Sequence, residues 1–87
     1  MNRKALAQLL QVKGLPADPK QIIGKTYLLD AGSTVLIGIV LSITIKDDQV
    51  ELFSSSADIL GNFYPLRWRD GKWEVPGSVI KGRLELL

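Results

Sequence analysis

The sequence predicts a mainly β fold in which a short N-terminal helix precedes about five antiparallel strands that form a small barrel. Three patterns predict it: helical spacing confined to the first residues, a long alternation from Thr34 to Ile45, and a hairpin signature at Asp70-Gly71. An 87-residue chain is the size of one domain. We therefore expect residues 1–24 to be a helical N-terminal segment and residues 25–87 to be the barrel.

The N-terminal helix is predicted over residues 2–13, where leucines recur at the three and four spacing of one helical face. Asn2 can cap its first turn, and Gly14 with Pro16 ends it. Asp18-Pro19 then pairs a capping residue with a proline at the first helical position, which predicts one more short turn.

The strand from Thr34 to Ile45 is the clearest pattern in the chain. Every odd position from Val35 to Ile45 is apolar, whereas the even positions mix apolar and polar residues. This period of two predicts that the odd positions face the core. The strand is about twice the usual length, so it must bend, and Gly38 is the expected bend or bulge. Leu36 and Val40, on the predicted less buried face, are then candidate partner contacts.

Shorter strands are predicted on either side of the long one. A β-type run at 27–29 ends in a turn over residues 30–33, and a strand at 50–53 follows the turn at 46–49. Residues 54–62 are predicted to be a loop that holds one helical turn, capped by Ser56 and ended by Gly61. The last strand is predicted over 79–87, after the break at Pro76-Gly77.

The Asp70-Gly71 dipeptide predicts a hairpin with a two-residue turn over residues 64–75. In that register Trp68 faces Trp73, and Arg67 faces Glu74. The two tryptophans share a face with apolar residues, which favours a core wall. The alternative is a stacking platform for nucleic-acid bases.

The amino-acid composition lacks residues that disulfides, metal sites and catalytic sites usually need. The chain has no cysteine and no histidine, so disulfides, thiolate ligands and imidazole bases or ligands are all missing. Its glycines form neither a phosphate loop nor a dinucleotide fingerprint. The serines at 54–56 have no predicted base beside them. We therefore predict no catalytic, cofactor-binding or metal-binding residue, and no enzymatic activity.

The sequence also lacks the patterns of membrane insertion and secretion. Its longest apolar stretch, residues 35–45, is too short for a transmembrane helix and contains glycine, serine and threonine. The N-terminus has neither a continuous apolar region nor a small-residue cleavage site. The expected location is cytoplasmic, with no membrane partner.

Several segments resemble the Sm-like family of small RNA-associated barrels, within the broader SH3-like type. The similar residues are Tyr27-Leu28-Leu29-Asp30-Ala31-Gly32, Ile37-Gly38-Ile39, Asp47-Asp48-Gln49-Val50-Glu51-Leu52 and Ile80-Lys81-Gly82. The resemblance implies a ring of subunits and a base-binding site at Asp48, Gln49, Lys81 and Gly82. Gln49 stands where the family has asparagine, Lys81 stands where it has arginine, and the Asp70-Gly71 hairpin is longer than the family needs.

These patterns favour a non-enzymatic interaction or assembly module, a homo-oligomer or the partner of another protein. The alternative is binding of RNA or single-stranded nucleic acid through a basic sheet face. An enzyme with an unrecognised site is the third hypothesis. The candidate basic residues are Arg67, Arg69, Lys72, Lys81 and Arg83.

Overall fold

A computed structural model describes residues 2–56 and 63–87 of the chain. One α-helix, α1, spans Arg3–Gln11, and a short 3-10 turn at Pro19–Gln21 precedes the sheet. The strands are β1 (Thr26–Asp30), β2 (Val35–Lys46), β3 (Gln49–Ser56), β4 (Phe63–Arg69), β5 (Lys72–Glu74) and β6 (Lys81–Leu86).

The six strands form a closed antiparallel barrel in chain order. Each strand pairs with the next, and β1 pairs with β6 to complete the circle, with Tyr27 opposite Leu86 and Asp30 opposite Arg83. The predicted mainly β class and small barrel are confirmed. The short β5 brings the number of strands to six, against the predicted five or so.

The N-terminal segment folds as its local signals predict. The Asn2 side chain accepts a hydrogen bond from the backbone N–H of Ala5 at 2.8 Å, and Asp18 caps the 3-10 turn in the same way through Lys20. Burying Leu10 completely in the core stabilises the helix by about 2 kcal/mol. In the described part of the chain, no helix has the length and apolar character to cross a bilayer.

The barrel interior is filled by apolar side chains and one small polar network. Ser54 is fully buried and donates from Oγ to the backbone carbonyl of Tyr64 at 3.0 Å. The Tyr27 hydroxyl lies 3.2 Å from Ser54 Oγ and 3.0 Å from the Tyr64 hydroxyl. The buried apolar residues are Leu10, Leu15, Ile22, Tyr27, Leu29, Leu36, Val40, Val50, Leu52, Leu66, Trp73 and Leu84.

The predicted orientation of β2 is wrong over its first half. Leu36 and Val40 are almost completely buried, so they are core residues and are not available to a partner, whereas the odd positions from Val35 to Leu41 are 40–46% exposed. The register shifts between Val40 and Ser42, which marks a bulge there rather than at Gly38. Beyond the bulge the odd positions Ile43 and Ile45 turn inward and pack against the core.

The C-terminal hairpin follows its predicted register. Arg67 lies opposite Glu74, Trp68 opposite Trp73, and Arg69 opposite Lys72. Asp70 and Gly71 both have positive φ, at 52° and 79°, as a type I′ turn requires. The predicted loop at 54–62 begins later than expected because β3 continues to Ser56, and the helical turn predicted there falls on residues 57–62, outside the described residues.

Candidate functional site

The outer surface of β2, β3 and β4 carries an apolar face that the sequence pattern assigned to the core. Its members are 40–63% exposed: Val35, Ile37, Ile39, Leu41, Phe53 and Phe63. Phe53 and Phe63 stack nearly parallel, with their ring centroids 6.1 Å apart and an interplanar angle of 13°. This pairing of two exposed rings continues the apolar face across β3 onto β4.

The bulge in β2 explains why this face extends as far as Leu41. The bulge inserts Leu41 as an extra residue of β2, next to Ser42, which pairs with Phe53. Leu41 and Ser42 are therefore both exposed. The six members of the apolar face carry no charge, and charged groups at its margin include Asp30, opposite Val35, and the ion pair of Glu51 and Arg67. The apolar face can therefore be covered by apolar surface without burying a charge.

The candidate basic residues lie on a different side, on the outer surface of β4, β5 and β6, which we call the charged wall. One row of cross-strand neighbours alternates in sign, because Glu51 pairs with Arg67, Arg67 with Glu74, and Glu74 with Lys81. Arg67 also donates to Glu51 from Nε and Nη2, at 3.2 and 3.0 Å. Interleaved carboxylates reduce the attraction of this row for phosphates.

The positive charges of the remaining basic candidates alternate less regularly with carboxylates. Arg69 lies beside Lys72, with Asp70 3.8 Å from the Arg69 guanidinium, and Arg83 lies opposite Asp30 on β1. Nucleic-acid binding by the charged wall stays a prediction. It would appear as a salt-dependent shift of an oligonucleotide that weakens on joint substitution of Arg67 and Arg69 by alanine.

The residues implied by the Sm-like resemblance lie in two separate places. Asp48 and Gln49 are at the turn between β2 and β3, whereas Lys81 and Gly82 begin β6. Two strands, β4 and β5, lie between β3 and β6, which corresponds to about 14 Å along the wall. The barrel thus does not place the two pairs on adjacent strands.

Ser54 belongs to the run of serines at 54–56, and its hydroxyl has hydrogen-bond partners. Its Oγ is buried inside the barrel beside the Tyr27 hydroxyl, and it donates to the backbone carbonyl of Tyr64. A substrate outside the barrel could not reach it without opening the core. The geometry assigns this serine to holding β3 and β4 together.

A cleft of about 510 Å³, which we call the tryptophan cleft, separates the end of α1 from β4, β5 and β6. Trp73 is buried and donates from Nε1 to the Lys13 carbonyl at 3.1 Å, which fixes the segment after α1 against the barrel. Trp68 is half-buried and meets Trp73 edge to face, with centroids 5.6 Å apart. The hairpin register predicted the pairing of the indoles, but nothing in the sequence placed Lys13 beside them.

Three cationic side chains line the tryptophan cleft: Lys13, Lys72 and Arg83. None of the residues that form its wall carries a carboxylate. Within residues 2–56 and 63–87, these three side chains form no ion pair and no side-chain hydrogen bond. The cleft thus combines aromatic surface with three cations that form no ion pair with the described residues.

Comparisons of the chain with protein-family models, with curated proteins and with solved structures return no match.

Proposed function

We propose that this chain is a non-enzymatic assembly module that pairs with a second copy of itself through the apolar face. The observation that carries the proposal is the exposure of six large apolar side chains, contiguous across β2, β3 and β4, on a barrel that has another set of residues for its core. Exposed single apolar residues are ordinary, but contiguous patches mark interaction sites.

The area of the apolar face matches what a stable dimer needs. With roughly 150–200 Å² for a large apolar side chain, the exposed fractions correspond to a patch on the order of 500 Å². A standard interface buries about 800 Å² per partner, of which somewhat more than half is apolar. One apolar face therefore supplies about the apolar area that an identical face requires.

A second copy also fits the chemistry of the apolar face. A two-fold interface brings the same patch of both subunits together, so each apolar residue meets apolar surface and no charge is left inside without a partner. The stacked Phe53 and Phe63 rings supply the aromatic side chains of such a patch, and large aromatic side chains dominate interface energetics.

Sedimentation velocity over a range of concentrations tests the proposal. The wild-type chain should approach twice the 9.6 kDa monomer mass as concentration rises. Ile39→Lys should weaken association by at least about 100-fold, because a lysine at the centre of the interface would be buried without a counter-charge. The barrel itself should remain folded in this variant, since residue 39 faces outward.

Val79→Lys is the matched control, because Val79 is 94% exposed and lies outside the apolar face. It makes a similar change of charge and shape and should leave the dimer unchanged. A wild-type chain that stays monomeric up to about 1 mM would refute the proposal. Equal weakening by the two lysine variants would do so too, because the effect would then be one of net charge.

A further inference from the structure

We infer that the tryptophan cleft is a binding site for a small organic anion that carries a planar aromatic ring. The site lies between the end of α1 and strands β4 to β6, on elements that contribute little to the apolar face. A cavity of about 510 Å³ is within the usual range for small-molecule sites. Its ligand chemistry follows from three independent features of its wall.

The first feature is the aromatic surface. Trp73 is held in place by its hydrogen bond to the Lys13 carbonyl, and Trp68 is held by its edge-to-face contact with Trp73. Trp68 keeps part of its ring exposed toward the cleft. A partly exposed indole on a rigid support offers aromatic surface against which a planar ring can pack at little entropic cost.

The second feature is Lys13, whose side chain is mostly covered while its ammonium group keeps contact with solvent. Lys13 is only 8% exposed, lines the cleft, and makes no side-chain hydrogen bond or ion pair with any described residue. A cation that protein surface partly encloses is attracted more strongly to a counter-charge close to it than a fully hydrated cation is. A bound anion would supply that counter-charge, with Lys72 and Arg83 at the same wall.

The third feature is the backbone that opens the cleft. Gly14 and Gly71 both have φ near +79° and line the wall, one just after α1 and one in the hairpin turn. Positive φ favours glycine at both positions, and no side chain there covers the indoles. An aromatic ring can therefore reach Trp68 while its anionic group lies near the three cations.

Tryptophan fluorescence measures binding directly, because Trp68 and Trp73 are the only two tryptophans in the chain and both line the cleft. A nucleoside monophosphate is the probe, since it joins an aromatic ring to a phosphate. We expect saturable quenching by it. The uncharged nucleoside and inorganic phosphate, each with half of the required chemistry, should bind at least about tenfold more weakly.

Substitutions separate this site from a general attraction of anions. Arg83→Gln should weaken binding of the probe about tenfold, whereas Lys81→Gln, which removes a positive charge from the same outer side of β6 but outside the cleft, should not change it. Lys13→Met keeps the apolar stem and removes the charge. This substitution should weaken binding of the probe to a similar degree and leave the thermal midpoint of the free protein unchanged or raised.

Three results would overturn the inference. One is the absence of saturable quenching up to about 5 mM probe at low salt. Another is equal weakening by Arg83→Gln and Lys81→Gln, which would indicate a diffuse charge effect. The third is unchanged binding in Lys13→Met, which would mean that Lys13 only covers the core with its stem.

Discussion

Replacing Gly38 by alanine should destabilise the barrel by about 3 kcal/mol or more, among the largest losses expected from adding one methyl group to this chain. A Cβ at this position would overlap the backbone carbonyl of Ser55 and would come within 2.8 Å of the Tyr27 hydroxyl. The Ser55 carbonyl belongs to the ladder between β2 and β3, so it cannot move without displacing the ladder. The Tyr27 hydroxyl is held by Ser54 and Tyr64.

Gly32→Ala separates steric overlap from backbone strain. Gly32 has a φ of +90°, and a Cβ there would meet no atom within 4 Å. Its substitution should therefore cost only about 1–2 kcal/mol, the penalty of a left-handed conformation. Urea unfolding followed by circular dichroism gives both values. A loss for Gly38→Ala no larger than that for Gly32→Ala would show that β2 and β3 separate easily, contrary to a closed ladder.

Gly38 also explains why the orientation of β2 could not be predicted from its pattern. Both faces of the first half of the strand are largely apolar, so the period of two indicates a strand but does not say which face is inside. Gly38 must face inward because Tyr27 and the Ser55 carbonyl occupy the space of a side chain. Leu36 and Val40 then face inward with it, which leaves Ile37 and Ile39 outside.

Because of the bulge at Leu41, the six apolar odd positions of β2 do not share one face of the strand, although they follow one another in the sequence. One extra residue reverses the alternation, so Ile39 and Ile43 lie on opposite sides although both are isoleucines at odd positions. A pattern of residue types does not contain this reversal, because a bulge depends on the pairing with β3. The sequence pattern therefore does not predict the apolar face, and it assigns the core residues Leu36 and Val40 to the partner surface instead.

Local signals, in contrast, predicted what they determine. The caps at Asn2 and Asp18 and the Asp70-Gly71 turn act within a few residues, and all three are present as expected. The tryptophan cleft joins α1 to β4, β5 and β6, and the bond from Trp73 to Lys13 alone spans 60 positions of sequence. Of the contacts that form the cleft, only the pairing of Trp68 with Trp73 could be predicted, from the Asp70-Gly71 turn.

Trp73→Ala should be the most destabilising truncation of a single side chain, with an expected loss of about 4 kcal/mol. Trp73 is the largest of the completely buried side chains. Its removal leaves a cavity, ends the contact with Trp68 and leaves the Lys13 carbonyl without its donor. A domain of this size is usually stable by only about 5–10 kcal/mol, so a large share of the total would be lost.

Trp73→Phe and Trp68→Ala distinguish the contributions to this loss. Trp73→Phe keeps most of the ring volume but removes the indole N–H, and it should cost about 1–3 kcal/mol for the unpaired carbonyl. Trp68→Ala should cost less than Trp73→Ala because Trp68 is half-buried. Circular dichroism melts measure all three. A larger loss for Trp68→Ala would contradict the burial order of the two indoles.

Amide hydrogen exchange of Trp73→Phe adds the structural consequence. The Trp73 bond is the link that joins the end of α1 to β5, so its loss should raise exchange in residues 3–14 more than in the barrel strands. Uniform acceleration along the chain would instead mean that α1 and the barrel unfold as one cooperative unit. The position of the accelerated amides thus tells whether Trp73 stabilises the barrel wall itself or mainly the packing of the N-terminal helix against it.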